Sequence, residues 1–433
     1  MFKYKNVLIY GYSKSGKAVE RILINMEVNY KIYDDNMRLD GGKYLSKLPK
    51  KEIVKFDLIV ISPAVSIYNK LIKYAESEGI RVISELEFGY LVCPYPIIAV
   101  TGTNGKTTVV KLLEHCFDSA GYKVKALGNV GEPLSEIVKY EKLDFAIVEV
   151  SSFQLEATYK FKPYIGVLLN IDEDHLDRHK TFANYLNLKL GLFKNCNNEN
   201  YAVLGNQKEI LNNFDNETVN TVVLNKDCKI ENGIVCYNDE QLFEVSQLND
   251  FTFMDNILAV ISVLKIVGLE NEKILMGINT FVGLEHRLEY VDTIGDNIFY
   301  NDSKATNPHS TINAVMKLKQ YDNITLLLGG QDKDFDFNRL IEKLPSNVHN
   351  IVCFGKCRKK IFKCIKDKTK AYLQTDLKSA VVLANQITKN GVILLSPACA
   401  SFDEFKGYAE RGKYFKNIVS ALKQSTNLKE IVC

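Results

Sequence analysis

The segment Ile97-Ile98-Ala99-Val100-Thr101-Gly102-Thr103-Asn104-Gly105-Lys106-Thr107-Thr108 constrains this chain more than any other. An apolar run rich in β-branched residues stops at a turn punctuated by glycines. The turn runs into Val109-Val110-Lys111-Leu112-Leu113-Glu114-His115, whose apolar spacing is helical. Strand, glycine loop and helix start, in that order, predict a phosphate cradle. Backbone N–H groups and the positive helix end face the anion, Lys106 reaches the terminal phosphates, and a threonine hydroxyl is available to Mg²⁺. Gly102, Thr103, Asn104, Gly105, Lys106, Thr107 and Thr108 are therefore candidate nucleotide-binding residues. The full eight-residue P-loop would place glycine where Val100 stands, so this is a shortened form, G-x-x-G-K-T. A plain glycine turn carrying a surface lysine is the competing reading.

Bulk properties leave room for such a site. A chain of 433 residues, 46% hydrophobic and 25% charged, accommodates about three domains with cores of their own. The formal net charge of +3 gives no reason to invoke nucleic acid or an acidic membrane surface. The apolar run within Met1 to Gly11 is too short for a signal peptide and reads as a first strand. No stretch of roughly 18 apolar residues predicts a membrane span. Of ten scattered cysteines, only Cys353 and Cys357 are close, at a spacing that suits zinc poorly. Reduced thiols in a cytoplasmic protein are the better reading.

The pattern along the chain predicts an α/β protein of three domains: a Rossmann-like N-terminal domain (1–93), a central P-loop ATPase-type parallel-sheet domain (94–284) and a Rossmann-like C-terminal domain (285–433). In the first, Val7-Leu8-Ile9-Tyr10 leads into Gly11-Tyr12-Ser13-Lys14-Ser15-Gly16 and a helix over 17–26. A second strand, Tyr30 to Tyr33, ends at Asp34-Asp35. Ser13 stands where a dinucleotide fingerprint needs its second glycine, so a grip on some other phosphate fits better than nicotinamide binding. Cys93-Pro94-Tyr95-Pro96 is a linker. Near-continuous apolar runs at 145–150 and 164–170 suit a sheet buried on both faces. The Asn- and Asp-rich region 199–250 holds short strands of structural character. In the third block, strands at 325–330, 351–355 and 392–397 predict an open parallel sheet whose ligands collect at the carboxyl ends.

Several polar clusters fall at such strand ends. Glu149, closing Phe145 to Val150, is costly in an apolar strand unless it binds a metal or a salt-bridge partner. Asn170-Ile171-Asp172-Glu173-Asp174-His175-Leu176-Asp177-Arg178-His179 supplies one or two metal ligands, or else is a solvated acidic helix start. Asn301-Asp302-Ser303-Lys304-Ala305-Thr306-Asn307, Gly329-Gly330-Gln331-Asp332-Lys333 and Ser396-Pro397-Ala398-Cys399-Ala400-Ser401 are ordinary loops singly. Together, Lys333, Thr306 and Ser401 would suit a small dicarboxylate.

The ordered set T-G-T-N-G-K-T-T, G-N-V-G, V-E-V-S-S-F-Q-L-E, D-E-D-H-L-D-R-H, L-E-H-R, N-D-S-K-A-T-N, L-L-G-G-Q-D-K and S-P-A-C-A-S-F-D-E-F resembles the Mur ligases over about residues 100 to 415. N-D-S-K-A-T-N with S-P-A-C-A-S points to the D-glutamate-adding branch. The resemblance implies peptidoglycan precursor synthesis: ATP-dependent joining of D-glutamate to UDP-N-acetylmuramoyl-L-alanine through an acyl phosphate, with two Mg²⁺ ions, in a cytoplasmic monomer. By motif match, Lys106, Glu149, His175, Lys189 and Lys304 carry catalysis. Thr107 and Glu149 hold the Mg²⁺ bridging the ATP phosphates, while His175 and a carbamylated Lys189 hold the second. At a pKa near 10.4 only roughly 0.04% of a lysine amine is neutral at pH 7, so carbamylation requires burial or metal to draw it over. Without the resemblance, Lys189 reads as a surface helix lysine. Asn256, Arg287 and Asp302 are implied for ATP. Ser15, Asp34, Asp35 and Asn129 are implied for the sugar nucleotide, and Thr306, Lys333, Ser401 and Tyr408 for D-glutamate.

Two departures stand out: Thr252-Phe253 replaces the usual His-Asn near the adenine, and Asn36 and Ser62-Pro63-Ala64 replace frequent Arg and Ser-Pro-Gly in the first domain. Rival readings are another Mur-type or folylpolyglutamate-type ligase, a nucleotide-binding module without turnover, and a nicotinamide oxidoreductase. Three-domain substrate binding also implies closure about a hinge near Gly283-Leu284.

Overall fold

The computed structural model describes residues 3–38, 41–249, 254–332 and 334–432, with side chains to residue 425. Lys333 and the Thr252-Phe253 pair lie outside the described residues. The chain divides into two compact units, Met1–Phe281 and Val282–Cys433.

The first unit contains two parallel sheets. One has the order β2-β1-β3-β4, from β1 (Asn6–Tyr10), β2 (Asn29–Tyr33), β3 (Leu58–Ile61) and β4 (Arg81–Ser84). The other is six-stranded: β5 (Ile97–Thr101), β6 (Val124–Gly128), β7 (Phe145–Glu149), β8 (Ile165–Leu168), β9 (Tyr201–Leu204) and β10 (Asn220–Val223), ordered β10-β9-β8-β5-β7-β6. The chain lays β6 and β7 on one side of β5, then β8 to β10 on the other. That reversal opens a crevice at the carboxyl end of β5, where α/β sheets bind ligands. Every residue of β5 and β8 is buried, as their unbroken apolar runs require of strands covered on both faces. The helix Lys106–Ser119 covers one face, packing Val109, Leu112, Leu113 and Phe117 into the core.

Region 199–250 contributes β9, β10 and a small antiparallel sheet of β11 (Cys228–Glu231), β12 (Ile234–Tyr237) and β13 (Glu240–Glu244). Its first hairpin turns on Asn232-Gly233, both at positive φ, a pairing whose twist matches the flanking strands.

The second unit holds β14 (Glu289–Ile294), β15 (Asn297–Asn301), β16 (Ile324–Gly329), β17 (Val348–Phe354), β18 (Ala371–Leu373) and β19 (Val392–Leu395), ordered β14-β15-β19-β16-β17-β18. This sheet is not wholly parallel as expected. β14 runs antiparallel to β15 across a tight turn at Gly295 (φ 55°). Two intervening residues leave no room for a crossover, so the pair must form a hairpin. The first helix begins at Lys14, earlier than its apolar spacing predicts, with Ser13 at the N-cap making no side-chain capping bond. Among the described residues no helix is long and apolar enough to cross a membrane.

Candidate active site

The glycine loop links β5 to the helix Lys106–Ser119 through two left-handed backbone positions that glycine alone adopts without strain, Gly102 (φ +149°) and Gly105 (φ +88°). A Cβ on Gly105 would collide with Asn256 Oδ1, so only glycine lets the loop and Asn256 approach this closely. The loop is pinned from the end of β8. Asn104 N–H donates to Asn170 Oδ1 (2.9 Å), Asn170 Nδ2 donates to Asn104 O (3.1 Å), and Asp172 N–H donates to Thr103 Oγ1 (2.9 Å). Lys106 folds back over it, donating to Gly102 O (2.7 Å) and Thr103 O (2.9 Å). Thr107 and Thr108 are both buried in the first turn, and Thr108 Oγ1 has no hydrogen-bond partner.

Glu149 ends β7, in register with Val100 of β5 and Gly128 of β6. It is 2% exposed. Its Oε1 accepts from Asn129 Nδ2 (3.0 Å), and its buried Oε2 has no partner. A bare carboxylate oxygen inside a fold is expensive unless a cation completes it, so this position fits a metal ligand and not a salt-bridged core residue. Asn129 is thereby joined to Glu149 directly. Among the described residues, no three His, Cys, Asp or Glu side chains converge as a ready-made cage. A cation here would draw on one or two side chains, a hydroxyl and substrate phosphates, as Mg²⁺ does.

Lys189 is no surface lysine. It is 1% exposed, and its Nζ donates to Gly102 O (2.8 Å) and Thr101 Oγ1 (3.3 Å) from beneath the loop. Burial above all, and then the Lys106 charge, hold its amine well below the usual lysine range, against opposing pulls from Asp174 and Glu149. Lys106, Glu149, Asp174 and Lys189 therefore share one electrostatic environment.

His175 caps the short helix Leu176–His179 in a left-handed conformation (φ 54°), its ring edge-on to Phe153 at 4.8 Å. Around it lies a buried assembly that sequence reasoning missed. Arg178 Nε donates to Glu156 Oε1 (3.0 Å) and Nη2 to Glu156 Oε2 (2.5 Å). The same guanidinium donates to Pro63 O (2.8 Å) and Val65 O (3.2 Å). His179, fully buried, bonds Ser152 Oγ (2.9 Å), and burial lowers it to about 4. The end of the string, Arg178-His179, is thus a packed junction, while Glu173 and Asp177 before it stay exposed. Glu156 at the end of V-E-V-S-S-F-Q-L-E and the Arg-His pair were the only traces in the sequence.

At the first sheet, Asp34 accepts from Tyr12 N–H (2.7 Å) and from the backbone of Asn36 and Met37. Asp35 accepts from Tyr10 (2.8 Å) and Tyr33 (3.0 Å) hydroxyls. Asp34 thus holds the glycine turn, while Asp35 ties the ends of β1 and β2 through their tyrosines. Ser15 sits half-buried in the first turn of the helix Lys14–Asn25.

In the second unit, Asp302 follows β15. It accepts from Ser396 Oγ (2.8 Å) and Leu288 N–H (3.2 Å), and burial pushes its carboxyl up to about 7 despite the nearby Arg287 charge. Lys304 Nζ donates to the Tyr408 hydroxyl (3.2 Å) and lies 4.7 Å from that ring's centre. Thr306 is half-buried and Ser401 buried, in separate loops. What ties these loops together is Arg411, fully buried. Its Nε and Nη2 donate to Ser303 Oγ (3.0 Å) and O (2.8 Å), and Nη1 to Cys399 O (3.1 Å). A lone arginine in a helical pattern gave no signal of this.

Residues 100–266 match the Mur ligase middle domain and residues 286–399 the Mur ligase glutamate ligase domain. A UDP-N-acetylmuramoylalanine–D-glutamate ligase of Caldanaerobacter subterraneus subsp. tengcongensis is 35% identical, covering 98% of this chain and 99% of its own. One of the same name from Clostridioides difficile is 32% identical, at 97% and 99% coverage. Among solved structures, the UDP-N-acetylmuramate-alanine ligase of Thermotoga maritima aligns with a TM-score of 0.61 at 17% identity, over 97% of this chain and 100% of that one. The bifunctional folylpolyglutamate synthase/dihydrofolate synthase of Yersinia pestis gives 0.59 at 18%, over 77% and 90%; these two share the fold. With its glycine loop, its bare glutamate and relatives alike from end to end, the chain belongs to the Mur ligase family.

Proposed function

We propose that this protein is an ATP-dependent ligase that joins D-glutamate to UDP-N-acetylmuramoyl-L-alanine in peptidoglycan precursor synthesis. It acts as a cytoplasmic monomer with a sugar-nucleotide domain (1–93), an ATP domain (94–284) and an amino-acid domain (285–433). The observation that carries acid activation is the glycine loop with Lys106 above it and the partnerless Glu149 Oε2 at the neighbouring strand end. The choice of substrates is supported by relatives of that name at 35% identity.

The substrate carboxylate attacks the γ-phosphorus of ATP, ADP departs, and an acyl phosphate forms. The D-glutamate amine then attacks the acyl carbon and phosphate leaves. Attack by an anion on a polyanion is limited by charge, so neutralisation dominates the barrier. Lys106 supplies a fixed positive charge at the loop, and the loop amides orient the phosphates. Thr107 and Glu149 would hold one Mg²⁺, and His175 with carbamylated Lys189 a second. When bound, the two ions neutralise phosphate charge. The depressed basicity of Lys189 favours the neutral amine that reacts with CO₂, converting a repelling cation into an oxygen ligand. Asn256, Arg287 and Asp302 contact ATP, and Lys304 the phosphates. Asn129, with Ser15, Asp34 and Asp35, serves the sugar nucleotide, while Thr306, Lys333, Ser401 and Tyr408 grip D-glutamate.

Phosphate release from ATP by the purified protein tests this. Release is expected with UDP-N-acetylmuramoyl-L-alanine and D-glutamate, and not with L-glutamate or diaminopimelate. Release with L-glutamate on a folate-type acceptor would favour the folylpolyglutamate alternative. No release under any pairing would refute ligase function.

A further inference from the structure

Cys357 and Cys399 lie 42 residues apart in sequence, yet their Sγ atoms are 3.1 Å apart in the second unit. Both are buried, Cys399 fully and Cys357 at 5% exposure. Each belongs to a loop carrying predicted amino-acid contacts, or is bonded to one. Cys357 N–H donates to Gly330 O (3.0 Å). Gln331 and Ala400 exchange both backbone hydrogen bonds (2.8 and 3.1 Å), and Cys399 O accepts from Arg411. A Cβ on Gly330 would meet Cys399 Cβ at 3.1 Å, so the loops have no slack between them.

We propose that Cys357 and Cys399 are the site of a reversible disulfide, formed by a peroxide, that slows the enzyme by displacing the Cys399-Ala400-Ser401 loop. The Cys357 thiolate attacks one oxygen of hydrogen peroxide. The O–O bond breaks, hydroxide leaves and takes a proton, and Cys357 becomes a sulfenic acid. Cys399 sulfur then attacks the Cys357 sulfur, and the S–OH bond breaks. The departing hydroxide takes the Cys399 proton as water. Two thiols and one peroxide give one disulfide and two waters, with two electrons passing from sulfur to oxygen. Cys357 is the residue oxidised first, because Cys399 has no exposure and its thiol is held well above the usual range by its hydrogen bond to Cys357 and by burial.

Closing 3.1 Å to a bond of about 2.05 Å draws the two sulfurs together by about 1 Å. Displacements of that size at a substrate-positioning loop cost up to about 100-fold. The kinetic consequence rests on the reading of Ser401 as a D-glutamate contact; the bond itself does not. Oxidation is expected to raise KM for D-glutamate about tenfold or more while leaving KM for ATP within about twofold, with recovery in dithiothreitol.

The test treats the full-length reduced protein with hydrogen peroxide. Non-reducing peptide mapping and ligase kinetics are followed for wild type, Cys357→Ser and Cys364→Ser. A Cys357–Cys399 cross-linked peptide is expected in wild type and Cys364→Ser. Cys357→Ser should keep its reduced-state rate and resist inactivation. Should that variant fold poorly, Cys357→Ala with the same mapping replaces it. Absence of the cross-link, its formation chiefly between other cysteines, or equal inactivation of a folded Cys357→Ser protein overturns the proposal. A reduced wild type without ligase activity would count against the function proposed above, and the mapping would still decide this one.

Discussion

Replacing Asp302 with asparagine should make the second unit more stable in mild alkali and less stable in acid. The carboxyl is buried and raised from 3.8 to about 7. Between those values the folded chain holds a proton that the unfolded chain has released, so stability falls as pH rises from about 4 to about 7. At 1.36 kcal/mol per tenfold, the full cost above pH 7 is about 4 kcal/mol. Asparagine carries no such charge. Its single carbonyl, however, can serve only one of the two donors, Leu288 N–H and Ser396 Oγ, forfeiting about 1 to 2 kcal/mol. The net expectation is a gain of about 2 kcal/mol at pH 8 and a loss of about 1 kcal/mol at pH 4. Urea titrations of wild type and Asp302→Asn at both pH values, followed by hydrogen exchange of peptides from residues 289–330, measure it. A difference between the proteins that does not change with pH would show that Asp302 is ionised in the fold. That would refute the burial argument.

Lys106→Ala should abolish phosphate release, by about 10³-fold or more, with the fold unchanged by circular dichroism; near-normal turnover would remove the loop from the chemistry. Lys189→Ala should lose most activity and regain part of it with short carboxylic acids, which can lend the missing oxygen ligand. Undiminished activity would eliminate a bridging role for this lysine. Arg178→Ala should cost about 3 to 5 kcal/mol in urea unfolding of the first unit, because it leaves the fully buried Glu156 without its partner. The double variant Arg178→Met/Glu156→Leu should recover most of that loss, and a double variant as unstable as the single would argue that packing, not charge, holds the junction.

What could be read in the sequence was local. The glycine loop is visible because β-branched residues, glycines and helical spacing follow one another within some twenty positions, and glycine alone fits where Gly105 meets Asn256. Strand ends at Glu149, Asp302 and Ser401 were visible for the same reason. Contacts that depend on folding were not. Tyr185-Leu186-Asn187-Leu188-Lys189 reads as an exposed helix until packing lays it beneath Thr101 and Gly102. Arg411 reaches back 108 residues to Ser303, and no periodicity signals that. The antiparallel β14 was hidden because Glu289-Tyr290-Val291-Asp292-Thr293-Ile294 is polar enough to pass for loop, its edge position leaving one flank in water.

The four donations of Arg178 have a consequence for engineering. One guanidinium answers both to the acid that steadies the His175 segment and to two main-chain oxygens of the loop after β3. A chimaera that imports its first sheet from a relative would therefore inherit the phosphate loop intact and still misplace the histidine, unless the graft brings carbonyls to the same two points.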